Sequence, residues 1–495
     1  MPTFATDLHL DEVVAPLCRG RTGEQLAARL LTPLRDPDAV AFRHEVFRDL
    51  ESPILREALA EFAARMQLVD EHLAHASAIA HPLERHRWQL EAADRYRTAV
   101  AAVAGALERA SPASRGLAAV TTGLRGYVAS DAFTALVADT TRMLGDLARV
   151  TYRMRIGENR VSVGRHNGEA DYGAEVLATF ARFRPAATPA PLEVDVFSTI
   201  DMNPVEIGIL ERVARLHRPV FQALEAWVER HRAFRDPGVA AFAEDLGFYL
   251  GWLERIAPLR DAGLPFCYPD VAGPEAGLSA RGLFDLALAL QRTPPGEGIV
   301  TNDLELSGTE RLLVITGPNQ GGKTSFARAI GQLHHLASIG VPVAGSAARV
   351  GLGSAVHTLF ARAEDPADLK GRLEAELARA AAIVEALVPR GVVIMNESFS
   401  STTSEDALVL SRALLTEMLE RGATCVVVTF LGELAADDPS TASMTAVADP
   451  LDPTRPTFRL ERRPPDLDAH ARAVADVHGL GYDAVRERIA GRSIR

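Results

Sequence analysis

The chain has 495 residues, a formal net charge of −12, a hydrophobic fraction of 47% and a charged fraction of 24%. That length accommodates two or three domains at about 150 residues each, and no apolar run approaches the roughly 18 residues that a membrane helix needs. Met1–Leu10 lacks the basic and apolar pattern of a leader peptide, and Cys18, Cys267 and Cys425 are scattered without metal-ligand spacing. A cytoplasmic protein with no membrane partner is expected, and its net charge disfavours general attraction to nucleic acid.

The first half reads as long helices. Leu55, Leu59, Phe62, Met66, Val69 and Leu73 step by fours and threes. So do Ile209, Val213, Leu216, Val220, Leu224 and Trp227, and again Val239, Phe242, Leu246, Leu250, Leu253 and Ile256. Each series predicts one helix with a narrow apolar seam, as in packed antiparallel helices. Between them, Tyr152–Gly164 alternates in part around Gly157-Glu158-Asn159, which predicts a β-hairpin. Pro185–Pro191 is a Pro/Ala-rich linker, and Pro265–Gly298, rich in Gly and Pro, leads into the second half. The main boundary is expected near Asp261.

The second half alternates between strands and helices. Arg311–Thr316 reads as a strand, Lys323–Ile339 and Asp368–Leu387 as helices, and Gly391–Asn396 as a strand. Glu405–Arg421 reads as a helix and Ala423–Thr429 as a strand, with Cys425 a small core residue within it. This order implies a mainly parallel sheet covered by helices.

Two positions carry chemistry. Gly317-Pro318-Asn319-Gln320-Gly321-Gly322-Lys323-Thr324 fits the phosphate-loop pattern at every fixed position, with an apolar strand before it and a helix beginning at Ser325 after it. Its glycines let backbone N–H groups converge on phosphate oxygens, and the helix N-terminus adds positive potential. Lys323 is expected to reach the β- and γ-phosphates of ATP, and the Thr324 hydroxyl to ligate Mg²⁺. Only two lysines occur in the chain, Lys323 and Lys370. One of them sits where arginine's planar fork cannot replace a compact ammonium. The second position is Asn396-Glu397, a polar pair closing the apolar strand Val392–Met395. Glu397 is the candidate general base. Asn396 is the candidate metal-positioning residue, acting through a water, and carries an amide where a carboxylate suits Mg²⁺ better.

Thr316–Thr324 resembles the phosphate loop of the MutS family of DNA mismatch-repair proteins. Leu336–Ala344, Val300–Asp303, Asn396–Asp406 with Thr402 and Asp406 matching, and Val426–Thr429 are similar to further segments of that family. Gly479-Leu480 and Ala484–Ile489 resemble its closing, dimer-clasping helix. Pro33–Pro37 with Arg43 resembles the start of its helical core. The resemblance is strong over Ile299–Arg495 and weaker before. No segment resembles the family's mismatch-reading or connector domain, and the chain opens almost at the helical core.

The resemblance implies an α plus α/β fold. A long-helix core and lever domain over 1–260, with a small hairpin insertion near 152–164, is followed by a P-loop, ABC-type ATPase domain over 261–495. It further implies a homodimer, ATP and Mg²⁺ as cofactors, DNA as partner, and a role in DNA repair or genome maintenance. Departures imply slow hydrolysis. Asn396 stands in the place of an aspartate and Phe430 in that of a histidine. The trans-acting Ser-Thr-Phe element should fall near Gly371-Arg372-Leu373, where Glu376 matches its glutamate. Ser400, Ser401, Thr402 and Thr403 form a hydroxyl cluster suited to replace part of it. The alternatives are an ATP-regulated protein scaffold that binds no DNA, with partners the sequence does not name, and a transporter or chromosome-structuring ATPase. The last would need a signature motif absent here.

Overall fold

The computed structural model describes residues 2–18, 23–158, 160–168, 202–272, 277–352, 356–361, 371–388, 391–435, 438–449, 452, 455–465, 485–486 and 489. Outside them lie Asn159, the expected linker 185–191, Lys370, Gly479-Leu480 and, within Ala484–Ile489 of the expected dimer-clasping helix, residues 484, 487 and 488. Compactness divides the chain differently from a single cut near Asp261. One unit comprises 1–51, 114–116 and 247–495, and the other comprises 52–113 and 117–246. The first is therefore discontinuous in sequence. Arg115 belongs to it because its guanidinium holds Glu45 at 2.9 Å and Asp38 at 3.0 Å.

The second unit is helical. Pro53–Ala78 and Pro82–Ala110 pack along each other. Leu55, Leu59, Phe62, Met66 and Val69 are buried as their spacing requires. Proline opens both helices, at a position where its missing N–H costs nothing. Ser130 caps Asp131–Ala148, and Asn203 with Glu206 forms a capping box on Pro204–Leu216. The seam from Ile209 to Trp227 is two helices, Pro204–Leu216 and Arg218–Arg230, rather than one. Pro219 lacks an N–H and its ring collides with the carbonyl four residues back, so the first helix stops before it. Tyr152–Gly157 and Arg160–Arg165 form the expected antiparallel hairpin.

The first unit is built on a six-stranded sheet. Its spatial order is Val356–Phe360, Val392–Asn396, Thr424–Val428, Leu312–Thr316, Thr441–Ala448 and Pro456–Arg462. All neighbours are parallel except the last pair. Runs such as Leu312–Ile315 and Val392–Met395 are wholly buried, as strands covered on both faces must be. Leu312–Thr316 is first in sequence yet lies in the interior of the sheet, so the chain leaves it in one direction and later returns on its other side. The carboxyl edge at such a reversal is where open α/β sheets leave a crevice.

A second, mixed sheet of Asp270–Ala272, Ala347–Gly351, Leu278–Leu283 and Asn302–Leu306 lies in the same unit. The Gly/Pro-rich stretch expected only to lead in thus supplies two of its strands. The N-terminal segment is built into the same core, with Leu8, Leu10, Val13 and Val14 buried. Gln332 Nε2 donates to the Leu8 carbonyl at 2.9 Å, and Thr358 Oγ1 to the Asp7 carboxylate at 2.6 Å. Among the described residues, no helix is long and apolar enough to cross a membrane.

Candidate functional site

Ile315 pairs with Val428, and Val428 with Asn396, so the strand leading into the glycine loop and the strand ending in Asn396 finish at the same edge of the sheet. The loop then turns sharply. Gly317 has φ +116° and Gly322 φ +89°, conformations that favour glycine. A Cβ on Gly317 would also stand 2.9 Å from the Ala446 backbone nitrogen. The helix Lys323–Ser338 begins directly after Gly322.

Lys323 is 4% exposed, and its Nζ donates to the carbonyls of Gly317 at 2.7 Å and Pro318 at 2.9 Å. It also lies 4.7 Å from the centre of the Phe430 ring, a cation–π contact. Burial lowers the lysine's pKa, while the facing charge of Glu397 pulls it upward. Thr324 Oγ1 donates to Asn396 Oδ1 at 3.0 Å, joining the loop helix to the end of the neighbouring strand.

Beyond Asn396 the backbone takes an uncommon path. Glu397 has φ +51° and Phe399 φ +61°, left-handed values without a glycine. Outside contacts hold this turn. Glu397 N donates to Val428 O at 2.9 Å and Ser398 Oγ to Leu359 O at 2.8 Å. The Phe399 ring is fully buried in the core.

A cavity of about 350 Å³ opens over these elements, lined by Asn319–Ser325, Glu397, and residues from Leu283–Arg292, Gly298–Asn302 and Phe458. The structure therefore brings Asn319, Gln320, Gly321, Gly322, Lys323, Thr324, Ser325 and Glu397 to one opening. Gly317 and Pro318 hold the lysine, and Asn396 holds Thr324. Asp285 and Phe458 were not legible as parts of a site. Asp285 is buried, caps the helix Leu286–Gln291, and accepts from Gln332 at 2.8 Å. Phe458 is fixed by Asn302, whose Nδ2 donates to Phe458 O at 3.0 Å while its Oδ1 accepts from Leu460 N at 2.8 Å. Asn302 lies within Val300–Asp303, the one sequence signal for this wall.

The hydroxyl cluster after the acidic strand is engaged locally. Thr403 caps Ser404–Glu420, and the Thr402 and Thr403 hydroxyls both donate to Asp406. Ser400 Oγ accepts from Arg372 at 3.3 Å. Among the described residues, no group of three or more His, Cys, Asp or Glu side chains is placed to hold a metal ion.

Residues 313–452 match the family model described as MutS domain V. The chain is 26% identical over 306 residues to the DNA mismatch repair protein MutS of Granulibacter bethesdensis. That match covers 60% of this chain and 32% of the relative, so it spans about a third of the longer protein.

Proposed function

We propose that this protein of the MutS family binds ATP with Mg²⁺ in the cavity over Gly317–Ser325 and hydrolyses it slowly to control binding to DNA. The observation that carries the reading is the 3.0 Å bond between Thr324 Oγ1 and Asn396 Oδ1, which sets the loop helix against the acidic strand end beside Glu397. Backbone N–H groups at the loop and helix start favour phosphate. The Lys323 ammonium, now on two loop carbonyls, exchanges them for phosphate oxygens. Glu397, facing it, accepts the proton of the attacking water.

Thr324 and Asn396 present oxygen donors, which suit a hard cation that keeps much of its water shell. Thr324 would hold Mg²⁺ directly and Asn396 through a water. The ion would supply positive charge against the phosphates. Asn396 supplies no anion there, and Phe430 cannot donate a hydrogen bond to the γ-phosphate. Both features support slow turnover and a long-lived ATP state.

The relative's mismatch-repair name and the long helices support a homodimer acting as a DNA-binding clamp in DNA repair. Two measurements make the test. Lys323→Ala should weaken ATP binding by about one to two orders of magnitude, the worth of hydrogen bonds from a charged donor, with helicity unchanged by circular dichroism. Gel shifts with duplex, branched and single-stranded DNA should then depend on ATP in wild type and lose that dependence in the variant. The net charge of −12 supports a second reading, a nucleotide-controlled scaffold for a protein partner. Intact ATP binding without any DNA shift would leave that one standing.

A further inference from the structure

We propose that Glu376 is a positioning residue for hydrolysis, aiming Glu397 through the backbone of the turn between them; this rests on the reading of Glu397 as the base. Glu376 is 1% exposed. One carboxylate oxygen accepts the Phe399 backbone N–H at 2.9 Å in a buried contact, and the other lies 3.6 Å from Arg372 Nε. A buried carboxylate is costly unless its oxygens are partnered, so its place behind this turn needs a reason.

The reason lies in the backbone. Glu397 and Phe399 both occupy left-handed conformations that L-residues avoid. Such conformations persist only where the surroundings over-determine them. Phe399 N is the donor that would be orphaned at the far end of the turn, and the Glu376 carboxylate is what satisfies it. The helix Arg372–Ala386 that carries Glu376 also grips the neighbouring strand, with Arg379 Nη1 donating to Phe360 O at 3.1 Å. Arg372 bonds Ser400 Oγ at 3.3 Å, just past the turn. One helix thus clamps the turn from Asn396 to Ser400 on its buried side and leaves the Glu397 side chain facing the cavity. Loss of the acceptor frees the turn to relax toward ordinary backbone values, which swings the Glu397 carboxylate off the attacking water. The phosphate loop, fixed by its own glycines, is untouched.

The test is single-turnover hydrolysis and equilibrium ATP affinity on five proteins: wild type, Glu376→Ala, Glu376→Gln, Glu397→Gln and the double variant with Glu376→Ala in the Glu397→Gln background. Glu376→Ala should slow hydrolysis by about ten- to a hundredfold, the scale of an ångström-sized misplacement, with affinity within about twofold. Glu376→Gln keeps an acceptor for Phe399 N and should retain most of the rate. In the Glu397→Gln background, Glu376→Ala should cost nothing more. Equal losses of rate and affinity, or a further loss in the double variant, would overturn the positioning role. If Glu376→Ala does not fold, a Glu376→Gln rate reduced as far as that of Glu397→Gln overturns it equally. Wild-type hydrolysis by Glu397→Gln alone would instead defeat the reading of Glu397 and leave the loop assignment in place.

Discussion

Two turns meet at the candidate site, and both leave ordinary backbone space. The turn through Gly317–Gly322 does so mainly with glycines of its own, Gly317 and Gly322, with Gln320 at φ +63° between them, whereas the turn through Asn396–Phe399 does so with Glu397 and Phe399 alone and is held by Glu376, Leu359 and Val428 from elsewhere. The first conformation is written largely in its own residues. The second is imposed by tertiary contacts and is only as firm as they are. Anion binding needs the first kind, because the cradle must exist before the ligand arrives. A base that must be aimed can be built on the second, where distant residues gain influence over rate without touching affinity.

Opposite substitutions should break the two turns in opposite ways. Glu397→Gly removes the proposed base and should lower hydrolysis by about 10²- to 10⁴-fold. Its stability should stay within about 1 kcal/mol of wild type, because relief of left-handed strain offsets the greater entropy of glycine in the unfolded chain. Gly317→Ala is the reverse case. Its φ of +116° and the 2.9 Å approach to the Ala446 nitrogen leave no room for a methyl group. Unfolding free energy should fall by about 2–3 kcal/mol in a denaturant titration, with nucleotide affinity lost alongside. A neutral Gly317→Ala or a strongly destabilised Glu397→Gly would erase the contrast.

A gentler probe is pH. Burial lowers the Lys323 pKa below lysine's ordinary range. Phosphate pairs with the ammonium and not the amine, so ATP affinity should be full below the lowered value and fall as pH rises through it. Calorimetry across the alkaline range reads this directly, and an affinity flat to lysine's usual range would mean the ammonium is not the binding form. The smallest effect is expected at the strand end. Asn396→Asp restores an anion for the metal's water shell and should raise turnover severalfold while lowering the Mg²⁺ concentration required. A slower variant would show instead that a second carboxylate beside Glu397 impairs the base by like-charge repulsion. A Mg²⁺ titration of both proteins separates the outcomes.

The same contrast explains what could be read in advance. The loop, its flanking strand and helix, and Asn396-Glu397 were visible because their residue types follow from local geometry. The strands Val392–Asn396 and Thr424–Val428 fall within a residue or two of their expected ends, because wholly buried parallel strands leave continuous apolar runs. The break at Pro219 was masked by apolar spacing that continues across it. The second sheet was missed because its strands are only three to six residues long and lie in a glycine-rich stretch. Glu376 and Phe458 gave no sign of their contacts, which depend on long-range pairing alone. The junction of the N-terminal segment with the loop helix was hidden for the same reason.

That last junction bears on how the molecule is made. Leu8 and Gln332 are 324 positions apart. At a synthesis rate of about 5–20 residues per second, roughly 16–65 s separate their appearance. The helical unit, 52–113 with 117–246, is complete in the meantime and can fold on the ribosome, while Leu8, Leu10, Val13 and Val14 wait without the partners that bury them. These apolar residues therefore stay without their partner helix until Lys323–Ser338 has been made, and the unit that carries the candidate site is the later of the two to be completed.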